Sequence, residues 1–219
     1  MIYKFNTFIS LKVTLIIIIL ISSQILTSCI NLREDYPDIN YYSLSQKATE
    51  VSKIKAEGIL QVRSFTGSNA LTDKRFQVEN SKGEIQKLYY YRWNDNFAEL
   101  FTWLTISKLN LEKYFVGGVV SQNTVQIPNY ILEGEILGLK IYNGTNKQDD
   151  TSYVELSLEI SLLSYTKDSL DLEMIYSNTY TNKVQRPSNK AETIAPAVNS
   201  AANNIIETLA KDILKEINH

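Results

Sequence analysis

The chain has 219 residues, 44% hydrophobic and 21% charged, with 8 Gly, 4 Pro and a single Cys; that is enough apolar material for the core of one ordinary domain and excludes disorder throughout. A formal charge of -2 leaves no broad cationic surface to neutralise phosphates, which argues against nucleic acid as a partner. One Cys excludes an intrachain disulfide framework, and with His219 as the sole imidazole most of the toolkit for zinc ligation and histidine acid-base chemistry is missing, so the chain reads as non-enzymatic with no cofactor.

Residues 1–28 carry Lys4 and Lys12 and no acid, followed by the apolar run Leu15 to Ile21 and a polar break at Ser22-Ser23-Gln24. A positive flank before a short apolar core is the layout of a secretory signal peptide, and the core is too short for a comfortable transmembrane helix. Leu26-Thr27-Ser28-Cys29 resembles a bacterial lipobox, which implies cleavage before Cys29, a diacylglyceryl group on its sulfur and acylation of the new amine by a fatty acid such as palmitate. Each buried methylene contributes about 0.8 kcal/mol, so two or three acyl chains anchor a protein essentially permanently. The alternatives are a free periplasmic thiol and an uncleaved signal anchor. Residues 29–40 have mixed charge, Pro37 and no periodicity, and read as a lipidated Cys and tether; roughly ten extended residues reach about 35 Å at most. One domain is expected over 41–217.

Within it, Tyr41 to Leu44 and Gly58 to Thr66 read as strands on β-branched and aromatic content. Phe76 to Val78 and Ile85 to Arg92 flank the turn Ser81-Lys82-Gly83-Glu84 as a hairpin. A helix follows, capped by Asn94 or Asp95, with Phe97, Leu100, Phe101, Leu104 and Leu111 on one stripe and Trp93 under its first turn. Trp103, Ile106 and Leu109 point away from that stripe, which means either a second packed layer, the favoured reading, or an exposed apolar patch for a partner. Tyr130 to Tyr142 is a long strand with Gly138 as a bulge or bend. Ser152 to Tyr165 alternates cleanly, with Val154, Leu156, Leu158, Ile160 and Leu162 on one face. After the turn Thr166 to Ser169, Leu170, Leu172, Met174 and Tyr176 continue the dry face. The closing helix after Pro187 carries Ile194, Val198, Ala201, Ala202, Ile205, Leu209 and Ile213 on one stripe, with Pro196 tolerable only in its first turn. The simplest architecture is α+β: two layers, a mostly antiparallel sheet with two main helices packed on one face.

Candidate chemistry is sparse. Glu133, Glu135, Glu155 and Glu159 should share the solvent face of two neighbouring strands, which raises a glycosidase-like carboxylate pair or a hard-cation site. Alternation with serines on an open face favours a solvated surface instead, at most a face that docks a basic partner. The loop Asn143 to Thr151 lacks the spacing of a calcium loop, Gly117-Gly118 is not a phosphate loop, and no Gly-x-Ser-x-Gly elbow exists.

The order of parts resembles the ABC-type transport auxiliary lipoproteins, a family that includes the lipoprotein of the paraquat-inducible Pqi system and those accompanying MCE-type lipid transporters. The matching features are Cys29 with its short spacer, Tyr41-Tyr42-Ser43-Leu44, the opening strand Ile59 to Val62, Tyr90-Tyr91-Arg92-Trp93 running into a helix, the long strand Tyr130 to Ile141, and a terminal helix with Ala201-Ala202. Asn94-Asp95 after the Trp and the polar loop Asn143 to Asp150 depart from the family pattern. The resemblance implies a non-enzymatic periplasmic lipoprotein, tethered to a membrane, that docks on an MCE-domain protein and its ABC permease and ATPase. Ile30 rather than Asp after Cys29 points to the outer membrane. The competing expectation is an envelope lipoprotein that binds peptidoglycan or a soluble ligand through the glutamate face. A hydrolase is a third reading, for which no nucleophile and base can be paired.

Overall fold

The computed structural model describes residues 37–47, 50–144, 152–166 and 171–218, and all but Pro37 belong to one unit, Asp38–His219. The leader, Cys29, the tether up to residue 36, the loop 145–151 and the turn 167–170 lie outside the described residues. In chain order the elements are β1 (Asn40–Tyr42), β2 (Leu60–Val62), β3 (Thr66–Gly67), β4 (Arg75–Asn80), β5 (Ile85–Trp93), α1 (Phe97–Leu111), β6 (Val119–Ser121), β7 (Tyr130–Asn143), β8 (Tyr153–Tyr165), β9 (Leu172–Gln185) and α2 (Ile194–Ile217). Short 3-10 turns occupy Asn69–Thr72 and Ala191–Thr193.

All nine strands join one sheet, and β7 is its axis. One edge of β7 pairs antiparallel with β8 from Tyr130 opposite Ser164 to Tyr142 opposite Tyr153. Its other edge is shared by three short parallel partners: β2 at Tyr130 to Leu132, β3 at Glu135 and Ile136, and β4 at Tyr142 and Asn143. The expected α+β class holds, but the mostly antiparallel two-layer sheet is corrected to a curled mixed one: five strand pairings among the described residues are parallel and three antiparallel. Parallel neighbours need long connections, and here the β4–β5 hairpin and α1 fill the connection between β2 and its parallel neighbours β6 and β7. The single strand expected over Gly58 to Thr66 is therefore two, β2 and β3, separated where the chain bends along β7.

The alternating residues of β8, Val154 to Leu162, are all buried, and the seven apolar positions expected on α2 are buried against β8 and β9. Each Val, Ile and Leu among them contributes about 1.5–3 kcal/mol on leaving water. Pro196 does fall in the first turn of α2. The β4–β5 turn is built by Asn80, whose side-chain oxygen accepts from Lys82 N (2.9 Å) and Glu84 N (3.0 Å), with Gly83 at φ 78°.

Three local expectations are corrected. The α1 cap is Asn96, which accepts from Ala98 N at 2.9 Å, while Asp95 is drawn off by Lys74. Leu111 and Trp103 are exposed, whereas Ile106 and Leu109 are buried; α1 is thus covered on most of its circumference, by β2, β6 and α2. On β9 the register slips between Leu162 and Leu163, opposite Tyr176 and Met174, so Ile175 is the extra residue. The bulge turns Leu172 and Met174 outward, and both are exposed.

The burial of α1 on most of its circumference extends to charge. Lys108 and Glu112, one turn apart, form an ion pair with both side chains almost fully buried, and Tyr114 beside them has its phenol pushed up by burial and by its hydrogen bond to Glu112. At the other end of the sheet Arg186, 2% exposed, donates to Asn143 Oδ1 (2.7 Å), Tyr142 O (3.3 Å), Lys190 O (2.9 Å) and Thr193 Oγ1 (3.1 Å). It ties the ends of β7 and β9 to the entry of α2, and burial lowers its guanidinium to about 10.

Two stability predictions follow from this packing. A Cβ at Gly134 would stand 2.1 Å from the Phe65 ring, which itself packs edge-on to Phe101 at 5.1 Å. Gly134→Ala is therefore expected to lower unfolding free energy by about 1–3 kcal/mol, and combining it with Phe65→Leu should recover part of the loss in a denaturant double-mutant cycle; additivity would count against the contact. Glu112→Ala, which strips a buried ammonium of its carboxylate, should cost about 3–5 kcal/mol, whereas the pair Lys108→Met, Glu112→Leu should cost far less.

Candidate functional site

The ladder places the four glutamates together on the outer face of β7 and β8, as expected from their spacing. Glu135 lies directly opposite Glu159, Glu133 opposite Ser161, and Glu155 opposite Lys140 on one side and Lys183 on the other. They do not form one acidic surface. Arg63, just past β2, donates its backbone N–H to Leu132 O at 2.9 Å and brings its guanidinium onto Glu133. Glu133, Glu135 and Glu159 line an open basin of about 430 Å³ with Arg63 and Gln122. Glu155 belongs elsewhere, between the two lysines. Lys183 sits 3.6 Å over the Tyr153 ring, which stacks on Tyr142 at 5.0 Å.

Glu155 lines the second depression, a slot of about 390 Å³ where the sheet is interrupted. Past β3 the chain leaves β7 for the 3-10 turn Asn69–Thr72 and returns only at Glu79, opposite Tyr142. Between those points residues 138–141 of β7 pair with β8 on one edge, and residues 137–141 pair with no strand on the other, among the described residues. A bulge sits in the same stretch: Ile136 faces Leu158 and Gly138 faces Ser157, leaving Leu137 as the extra residue. Leu71, Trp93, Phe97, Leu139 and Ile141 supply an apolar floor. Trp93 and Phe97 hold each other at 5.4 Å, and Phe76 packs on Trp93 at 4.7 Å.

Two ion-paired clusters rim the slot beside Glu155. Asp73 receives Arg75 Nε (2.9 Å) and Nη2 (2.7 Å), the Arg75 backbone N–H (3.1 Å) and Lys87 Nζ (2.8 Å). Those hydrogen bonds, Arg75 first and Lys87 second, hold its carboxyl well below the usual range. Across the slot Lys140 donates to Glu79 at 2.9 Å, which raises the lysine.

No group of three or more His, Cys, Asp or Glu side chains suited to a metal occurs among the described residues. Cys29, the expected lipidation site, lies outside them. No helix among them is long and apolar enough to cross a membrane. Sequence reasoning located the glutamates but missed Arg63 and Lys140, whose partners are set by parallel pairing, and Arg75, whose partner Asp73 lies two residues before it but joins Lys87 only across the hairpin. The one legible hint of the slot was Gly138, next to the bulged Leu137.

No family model and no curated protein matches the chain. Among solved structures, protein XCC0632 of Xanthomonas campestris, described with the family model DUF330, is similar over 81% of this chain and 96% of its own, with TM-score 0.67 and 15% identity. An uncharacterised protein is similar over 81% of this chain and 99% of its own, with TM-score 0.58 and 12% identity. At such identities the likeness is one of fold.

The Asp73 cluster predicts a pH response of defined sign. Its folded carboxyl titrates below the unfolded value of about 3.9, so its contribution is present above that value and is lost as pH falls through the folded one. Asp73→Asn should destabilise most near neutrality, and its melting temperature should converge on that of the native chain in strong acid; a constant gap from pH 7 to pH 2 would contradict the assignment.

Proposed function

We propose that the protein is a membrane-anchored periplasmic accessory lipoprotein of an ABC-type, MCE-like lipid transport system. It is held through acyl chains on Cys29, at the outer membrane, and docks on the MCE-domain protein and its ABC permease and ATPase without itself being an enzyme.

One observation carries this reading: separate motifs of the resemblance converge in the fold. Tyr41 and Tyr42 form β1, paired in parallel register with Arg92 and Trp93 of β5, and Asn94 N donates to Tyr42 O at 2.8 Å. The Tyr-Tyr start and the Tyr-Tyr-Arg-Trp segment that launches α1 are thus one structural unit, although about fifty residues separate them. The chain just past β1 then meets the closing helix. Ser45 N and Lys47 N donate to Asn199 Oδ1 (2.9 Å) and Asn203 Oδ1 (3.0 Å), which bracket Ala201-Ala202 on α2. Motifs that are weak singly gain weight when they are mutually packed, because the packing gives a reason for their order. The similarity in fold to the DUF330 protein is compatible with this reading and says nothing of cargo.

The anchor is tested by metabolic labelling of cells with a palmitate analogue. The native chain should incorporate label and partition with membranes, and Cys29→Ser should lose the label and at least nine-tenths of membrane association. Cross-linking in detergent-solubilised envelope should recover an MCE-domain protein with the native chain; recovery of neither that protein nor an ABC permease would falsify the transport reading while leaving the anchor intact.

A further inference from the structure

The interruption in the sheet has the attributes of a recognition site. Strand edges that lack a partner expose main-chain donors and acceptors, and proteins ordinarily cover them, charge them or shorten them. Here the stretch left uncovered among the described residues is central to the sheet rather than peripheral, because β7 carries strands on the same edge both before it, at Ile136, and after it, at Tyr142.

The orientation of its backbone follows from ladder alternation. Leu132 O faces this edge, since it accepts from Arg63 N, and even-numbered residues of β7 share that direction up to the bulge. The extra residue at Leu137 shifts the parity, so beyond it the odd-numbered Leu139 directs its N–H and C=O to the open edge. Beside these groups lies the slot of about 390 Å³, whose accessible apolar lining is Leu71, Leu137 and Leu139, with Trp93 and Phe97 nearly buried beneath, within the range of small-molecule or side-chain pockets. The rim carries Asp73 with Arg75, Glu79 with Lys140, and Glu155 opposite Lys140 and Lys183 in the ladder, so the site does not select a strong anion.

We infer that this slot binds an extended peptide segment of a partner protein, which adds to the open edge of β7 through Leu139 and places one large apolar side chain among Leu71, Leu137 and Leu139. Main-chain bonds supply the affinity and the apolar side chain the specificity, the logic of strand addition. An extended peptide is favoured over a free acyl chain because a hydrocarbon leaves the N–H and C=O of Leu139 unsatisfied. The assignment does not depend on the transport reading.

Gly138 provides the test, because a Cβ there would meet nothing within 4 Å and a large side chain can close the slot without straining the strand. The full chain carrying Cys29→Ser, kept in a steroid-type detergent that offers no alkyl tail, is panned against a random nonapeptide library displayed on phage, and selected peptides are titrated by fluorescence anisotropy. Selected sequences should share one large apolar position and bind with micromolar Kd. Gly138→Trp, or Gly138→Leu if the first lowers the melting temperature, should weaken them at least tenfold. The Leu139 amide should exchange rapidly in the free protein and slow at least tenfold with peptide bound. Absence of enrichment, equal binding by both Gly138 variants, an unprotected Leu139 amide, or competitive displacement of peptide by dodecanoate with the same Leu139 protection would each overturn the proposal.

Discussion

The two edges of β7 obey different rules, and the rest of the molecule is arranged around that asymmetry. One edge is satisfied by a single long neighbour, β8, in a ladder broken by one bulge. The other is satisfied piecemeal by β2, β3 and β4, segments of two to six residues that follow one another along it. A backbone group in a sheet must bond to something, so the direction of the chain from Leu60 to Asn80 is fixed by the strand it accompanies rather than by its own propensities. The placement of Arg63 on Glu133, of Phe65 over Gly134 and of the slot beside Leu139 are all consequences of where those short segments touch β7 and where they leave it.

Much of the long-element structure was legible because burial imposes a period. β8 reads directly from Val154 to Leu162, and α2 from Ile194 to Ile213, since one face of each is dry and the other wet. The same signal is silent about the direction of a neighbour, and this is why a mostly antiparallel sheet was expected where the sheet is mixed: two-residue β3 and three-residue β2 and β6 are too short to show any period. The polar run Ser177 to Gln185 was not recognisable as the second half of β9 because only Tyr180 within it is buried. The helix cap was misplaced among Asn94, Asp95 and Asn96, three residues that are chemically equivalent as caps and are sorted only by Lys74, which is brought to Asp95 by the tertiary fold.

The candidate site divides in the same way. Spacing alone put Glu133, Glu135, Glu155 and Glu159 on one face, and the ladder agrees. Their cationic neighbours come from Arg63, 70 residues before Glu133, from Lys183 on β9, and from Lys140 across the bulge. An alternating sequence cannot foretell a compensating charge that arrives from another strand, and so the face appeared more acidic in the sequence than in the fold. The slot was illegible for a further reason: it is made by the absence of pairing over five residues, and absence leaves no pattern in the chain.

The two asparagines on α2 that receive Ser45 and Lys47 have a mechanical consequence. Asn203 also returns a bond from its Nδ2 to Ser45 O at 3.0 Å, so the polypeptide is held by a clasp at the point where it leaves β1 for the interior. β1 itself contributes only three residues of parallel pairing, a contact that a pull on the chain from its N-terminal side would shear in one step. With the clasp behind it, such a load passes into a 24-residue helix seated across β8 and β9. Unravelling that begins at the first strand therefore stops at the clasp.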